Sequence, residues 1–165
     1  MRIQLFPELS FAFTSQEILY RYLYGGHAVV TLESPSGVSH TYLYEVPANQ
    51  QFPEDVRFVY AVHAEKSEDS CVEYKKFYLG MIEADVFRIT RNSRFNQNSP
   101  VVKGAFYIEK LRKSQQFLSR SPMVIRHNGT CARCGSKITS IVSRYRGFGQ
   151  SCLKQLQMPR FKIDA

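Results

Sequence analysis

His27 to Val46 reads HAVVTLESPSGVSHTYLYEV. Val29, Val30, Thr31 and Leu32 on one side, and Thr41, Tyr42, Leu43 and Tyr44 on the other, are β-branched, aromatic or apolar, the types that fit a pleated surface. Pro35-Ser36-Gly37 between them is turn chemistry, and the second arm alternates, so the stretch reads as a β-hairpin. Downstream, VRFVYAVHA (56–64) has the same composition and extends the sheet. VEYKKFYLGMIE (72–83) reads as a strand leading into a turn at Gly80, and DVFRIT (85–90) as a short strand. Upstream, TSQEILYRYLY (14–24) switches to helical spacing at Ile18, Leu19, Tyr22 and Leu23. Thr14 and Glu17 form a capping-box pattern ahead of that helix, and Gly25-Gly26 stops it.

The remaining segments punctuate these elements. Residues 47–53, 66–71 (KSEDSC) and 91–100 (RNSRFNQNSP) are polar loops. From Val102 to about Ser119 the apolar residues fall at 106, 108, 111 and 117, which predicts one helix, and SRSP (119–122) reads as a linker. No repeat or low-complexity tract interrupts the chain. The fold class expected is α+β: a mixed or antiparallel sheet with one or two helices over residues 1–120, followed by a small C-terminal zinc-ribbon or knuckle module over 121–165.

The chain has 165 residues, 44% of them hydrophobic, with 12 Phe, 10 Tyr and no Trp, enough for a real core. No apolar run approaches the roughly 18 residues of a membrane span. The first residues, MRIQLFPELSFAF, hold one Arg, interrupt their apolar patch with Pro7 and Glu8, and offer no small-residue cleavage site. A signal peptide is therefore not expected, and the expected compartment is the reducing cytoplasm, where thiols favour metal over disulfides. The net charge of +8 is unevenly spread. Residues 1–99 carry 9 Lys/Arg and 12 Asp/Glu, a balance of −3, whereas residues 100–165 carry 13 and 2, a balance of +11. That asymmetry points to nucleic acid or another acidic partner, or to a solvated basic face with no specific ligand, and it argues against an acidic DNA mimic.

The basic segment contains His127-x3-Cys131-x2-Cys134-x17-Cys152. Zinc takes four tetrahedral ligands, and Cys3His is a common structural set. A C-x2-C pair grips an ion from a tight turn, which Gly135 suits, while Gly147 and Gly149 let the backbone approach from the other side. About 45 residues bury too little surface to fold alone, so a metal staple has a physical reason here. An iron cluster would want a fourth Cys, and Cys71 lies in a charged loop far along the chain. The bland alternative is three ordinary thiols and a solvated His. With four protein ligands the coordination sphere is closed and leaves no position for a reacting water, so the expectation is a structural Zn²⁺ and no enzyme.

CARCGSKIT followed by SRYRGFGQSC resembles a zinc-binding module of bacteriophage-encoded proteins of unknown function. The matching positions are His127, Cys131, Cys134, Gly135, Ile138, Thr139, Ser143, Gly147, Gly149 and Cys152. GGHAVVTLESPSG with the following Thr41-Tyr42, YLGMI (78–82) and VKGAFYIEKL (102–111) are similar to the domain that often precedes that module, so the likeness covers most of the chain. The chain departs from the pattern at Gln150 and Ile141, where the family often has Pro, and neither position is a ligand. The resemblance implies a phage or mobile-element origin and zinc, and it names no activity.

The partner is therefore read from the basic residues themselves. Arg126, Arg133, Lys137, Arg144, Arg146 and Lys154 can neutralise phosphates and release counterions. Arg120, Arg160 and Lys162 add to them, against Asp164 alone. Arg144-Tyr145-Arg146-Gly147-Phe148 interleaves cations with aromatics, as single-strand binders do. Tyr145 is a candidate to stack on bases, whereas Phe148, between two glycines, fits better inside a metal-stapled core. Lys110, Arg112 and Lys113 would extend the basic face, or form only a solvated helix surface. His27, His40 and His63 read as structural strand residues. The acidic pairs Glu54-Asp55 and Glu68-Asp69 read as solvated loop charges. No nucleophile elbow, phosphate-binding loop or dinucleotide fingerprint is present. Two partner classes follow: single-stranded or structured nucleic acid, and a host protein complex that a phage accessory factor would bind and inhibit or redirect. No membrane partner is expected.

Overall fold

A computed structural model describes residues 2–48, 51–69 and 71–156. The strands are β1 (Phe11–Ala12), β2 (His27–Glu33), β3 (Ser39–Glu45), β4 (Arg57–Lys66), β5 (Val72–Glu83), β6 (Val86–Ile89) and β7 (Val124–His127). They form one seven-stranded sheet in the order β1-β7-β2-β3-β4-β5-β6, and every neighbouring pair is antiparallel. The helices are α1 (Gln16–Leu23), α2 (Pro100–Lys113), α3 (Gln115–Arg120), α4 (Ile141–Arg146) and α5 (Gln150–Leu156). No helix among the described residues is long and apolar enough to cross a membrane.

The hairpin at 27–46 is present, with Val30 opposite Tyr42 and Ala28 opposite Tyr44. One face of the sheet, carrying Ala28, Val30, Leu32, Tyr42, Tyr44, Val59 and Ala61, is packed against Leu19, Tyr22 and Leu23 of α1 and Val102, Ala105, Ile108 and Leu111 of α2. Each Val, Leu or Ile among them, fully withdrawn from water, contributes about 1.5–3 kcal/mol. On the other face Val29, Leu43 and Val62 pack with Ile3, which comes from the N-terminal segment. That second layer is why β2 is buried along almost its whole length and reads as a nearly unbroken apolar run.

Several local expectations are corrected. Ser15, not Thr14, caps α1, its Oγ accepting from the Ile18 amide, while Glu17 turns to Arg21 one helical turn on. Gly80 does not make a turn. It lies inside the twelve-residue β5, where a Cβ would meet the Arg88 carbonyl oxygen at 2.1 Å. The turn falls instead at Ala84 and Asp85, at φ 49° and 62°, a two-residue hairpin connection in the left-handed region that matches sheet twist. The helix predicted over 102–119 is two helices. Ser114 is extended between them, and its Oγ accepts from the Phe117 amide to start α3.

The boundary expected between residues 120 and 121 does not divide the packing. β7, just beyond it, lies between β1 and β2. Cys131, Ala132, Ile138, Phe148 and Cys152 belong to the same buried cluster as α1 and α2. The cysteine-bearing segment is part of the body of the protein.

Candidate metal centre and its basic surround

The residues after β7 turn back on themselves through one isolated antiparallel bridge, Thr130 to Lys137. Inside that turn the Cys131 amide donates to the Ser136 carbonyl at 2.8 Å and the Gly135 amide to the Cys131 carbonyl at 2.9 Å. The Arg133 amide points at the Cys131 Sγ, 3.5 Å away, so a backbone donor faces that sulfur. Ala132 pins the turn to the rest of the protein. Its amide donates to the Gly147 carbonyl at 3.0 Å, and its carbonyl accepts from the His27 amide at 2.6 Å. Gly147, at φ +81°, closes α4 and lies so near Tyr22 that a Cβ there would meet the ring at 2.2 Å. α5 then presents Cys152.

The sulfurs of Cys131, Cys134 and Cys152 lie within 4.8 Å of one another. Cys131 and Cys152 are buried and Cys134 is exposed. Burial raises the Cys134 thiol, but the Ser136 hydroxyl and amide and the two neighbouring cysteines outweigh it and hold it below its ordinary value. Cys152 is pushed up to about 12, by burial first and then by the Cys131 and Cys134 sulfurs. Three thiols this close resist losing three protons unless a cation offsets the charge, and a bound cation deprotonates its thiol ligands outright. Bonds of about 2.3 Å to a tetrahedral zinc would set sulfurs about 3.8 Å apart, so the donor set fits a thiophilic ion. Such an ion would fix these three sulfurs in place and offset most of their charge.

His127 is not part of the cluster, and this corrects the expected ligand set. Its Nδ1 accepts from the Gly129 amide at 3.0 Å, so that lone pair is used. Its Nε2 lies 2.6 Å from the Arg144 carbonyl, to which it must donate. The wholly buried ring is stacked on Tyr22 at 5.5 Å and flanked edge-on by Phe13. It is a satisfied core histidine that ties β7 to α4. Cys71 is an exposed free thiol and does not join the cluster.

The predicted nucleic-acid residues divide. Arg126 is paired with Glu33 at 3.1 Å. Arg144 folds inward, over the Phe11 ring and towards the Ser10 carbonyl. Arg133, Lys137, Tyr145, Arg146 and Lys154 are exposed. Arg133 reaches the Gln155 side chain, and Lys137 lies 5.0 Å over the Phe6 ring. Phe148 is buried against Tyr22, as its position between glycines implied. Arg112 offers nothing to a basic face, because it is wholly buried between Glu109 and Asp85. Arg160, Lys162 and Asp164 lie outside the described residues.

No known family, curated protein or solved structure matches the chain.

One surface feature escaped the sequence reading. α4 exposes Ile141 (79%) and Val142 (59%) on the same short helix as Tyr145 (46%) and the exposed Arg146. The signal was present. A six-residue helix whose buried residue is Ser143 has no core-facing stripe for its β-branched pair to join.

Proposed function

We propose that this chain is a phage-encoded, zinc-stabilised nucleic-acid-binding protein that takes single-stranded or structured substrates on the surface around the three cysteines. The observation that carries the reading is the set of exposed cations Arg133, Lys137, Arg146 and Lys154 beside the exposed Tyr145. None of these four cations has an ion-pair partner among the described residues, so their charge is available to phosphates. A cation surround with an aromatic face suits unpaired nucleic acid, whose bases stack while its backbone is neutralised. The motif resemblance supports the phage origin and the choice of zinc.

The test is binding to labelled single- and double-stranded oligonucleotides across a salt series. Four phosphate contacts on a single strand predict a slope of log K against log salt of about −3. Replacing Lys137 and Arg146 together by Ala should roughly halve that slope. Affinity that is absent at low salt, or indifferent to salt, defeats the reading.

Ile141 and Val142 favour a second reading, docking to a host protein complex, because exposed β-branched residues grouped with a tyrosine mark protein contacts. The double change Ile141→Ser with Val142→Ser separates the two. It leaves oligonucleotide affinity within twofold if nucleic acid is the partner. In the docking case it removes host proteins that the wild-type chain retains from nuclease-treated lysate.

A further inference from the structure

We propose that the cysteine cluster is a three-thiolate metal site whose fourth position belongs to an exogenous thiolate. This rests on the reading of the cluster as a metal centre and adds what completes it. Three sulfurs already converge. The residue that sequence spacing offers as the fourth ligand is spent, since both His127 ring nitrogens are hydrogen-bonded to backbone. Turning the ring toward the sulfurs would orphan the Gly129 amide and the Arg144 carbonyl within the core, a cost that buried polar groups rarely bear. Among the described residues no other His, Cys, Asp or Glu joins the group. Cys134 is the exposed member, so the cluster meets solvent on that side and a small molecule can reach it.

The surroundings choose the donor. Three thiolates make a soft site, and soft sites prefer further sulfur. A divalent ion with three thiolates carries a net charge of −1. Arg133 stands next to Cys134 in the chain, with Lys137 three residues beyond it and Lys154 two beyond Cys152, all exposed. That surround offsets the charge of a fourth anion and gives no such help to neutral imidazole. In the binding step the incoming thiol gives its proton to buffer, its sulfur lone pair bonds to the ion, and a bound water leaves.

The full chain, reconstituted with Co²⁺ in a thiol-free phosphine reductant, reports the ligand count. Sulfur-to-cobalt charge-transfer absorption scales with the number of thiolates. Glutathione should raise it by about a third, from three sulfurs to four, and shift the visible bands. Imidazole at the same concentration should change them little. His127→Gln should bind cobalt with the same spectrum and the same response to glutathione. X-ray absorption of the wild-type zinc protein, which needs no variant to fold, should show three sulfurs and no imidazole scattering. Imidazole scattering would mean that the chain supplies its own fourth ligand, and bands indifferent to glutathione that no exogenous thiolate takes the position; either result fells the inference while the metal site stands. A chain that binds no cobalt overturns both.

Discussion

Arg112 is met by two carboxylates, Glu109 from its own helix and Asp85 from the β5–β6 turn. Its guanidinium is wholly buried, 2.6 Å from Glu109 and 2.7 Å from Asp85, with the Tyr20 and Tyr24 rings beneath it. Removing one partner of a buried pair leaves the other charge uncompensated, so Arg112→Ala should cost about 3–5 kcal/mol in urea unfolding. Asp85 also receives the Tyr20 and Tyr24 hydroxyls, at 2.7 and 3.1 Å. Burial alone would raise its carboxyl. The Arg112 and tyrosine hydrogen bonds outweigh burial and hold it at about 2, below the ordinary 3.8. A depressed folded value means stability that is full above the unfolded value and is lost as pH falls through the folded one. Wild-type stability should therefore fall between pH 4 and 2, and Asp85→Asn should flatten that fall. An unchanged acid limb in the variant, followed by circular dichroism, would show that Asp85 does not set it. Neither role could be read from the sequence. Arg112 looks like one of three exposed cations in KLRK until its helix is docked, and Asp85 looks like a strand residue until the two-residue turn is seen.

Among the elements, β2, β3 and α1 were legible because apolar periodicity and Pro/Gly punctuation agree there. The misreadings fall where a side chain competes with the backbone or where distant chain approaches. Ser114 looks like an ordinary polar position inside a helical pattern, yet its hydroxyl captures the Phe117 amide at 3.1 Å and breaks the helix into two. Ser114→Ala should destabilise by about 1 kcal/mol, the usual cost of a lost cap, seen as a lower urea midpoint at unchanged slope. Gly80 suggested a turn from its type alone, because nothing local announces that the Arg88 carbonyl passes where a Cβ would be. The cysteine spacing was legible as a metal motif, since a C-x2-C turn and a third sulfur are local chemistry. The fate of His127 was not, because Phe13, Tyr22 and Arg144, which enclose and bond its ring, come from three other parts of the chain.

At the scale of the whole molecule the question is whether the cysteine cluster staples only its own segment or the entire body. A separate module would release its metal and unfold with little effect on the sheet. The packing argues otherwise. β7 feeds directly into the cysteine turn and is paired with β1 and β2 on either side. Ala132 accepts from the first residue of β2, and the Tyr22 hydroxyl sits 3.0 Å from the Thr130 carbonyl and 3.2 Å from that of Val29. Loosening the cluster therefore frees partners of α1, β2 and β7 together. A metal ion held by the cluster at about a thousand times its Kd, the zinc proposed above, would add about 4 kcal/mol to the folded state, and a domain of this size moves by about 2–4 °C per kcal/mol. Chelation, or Cys134→Ser, should thus lower Tm by about 8–16 °C in one cooperative transition. Amide exchange should accelerate in β2 and at Phe13, which bonds the Ile125 carbonyl of β7, as well as in the cysteine turn. If chelation speeds exchange only beyond residue 128 and leaves the sheet's Tm in place, the cluster is a local clasp, and the sheet stands without it.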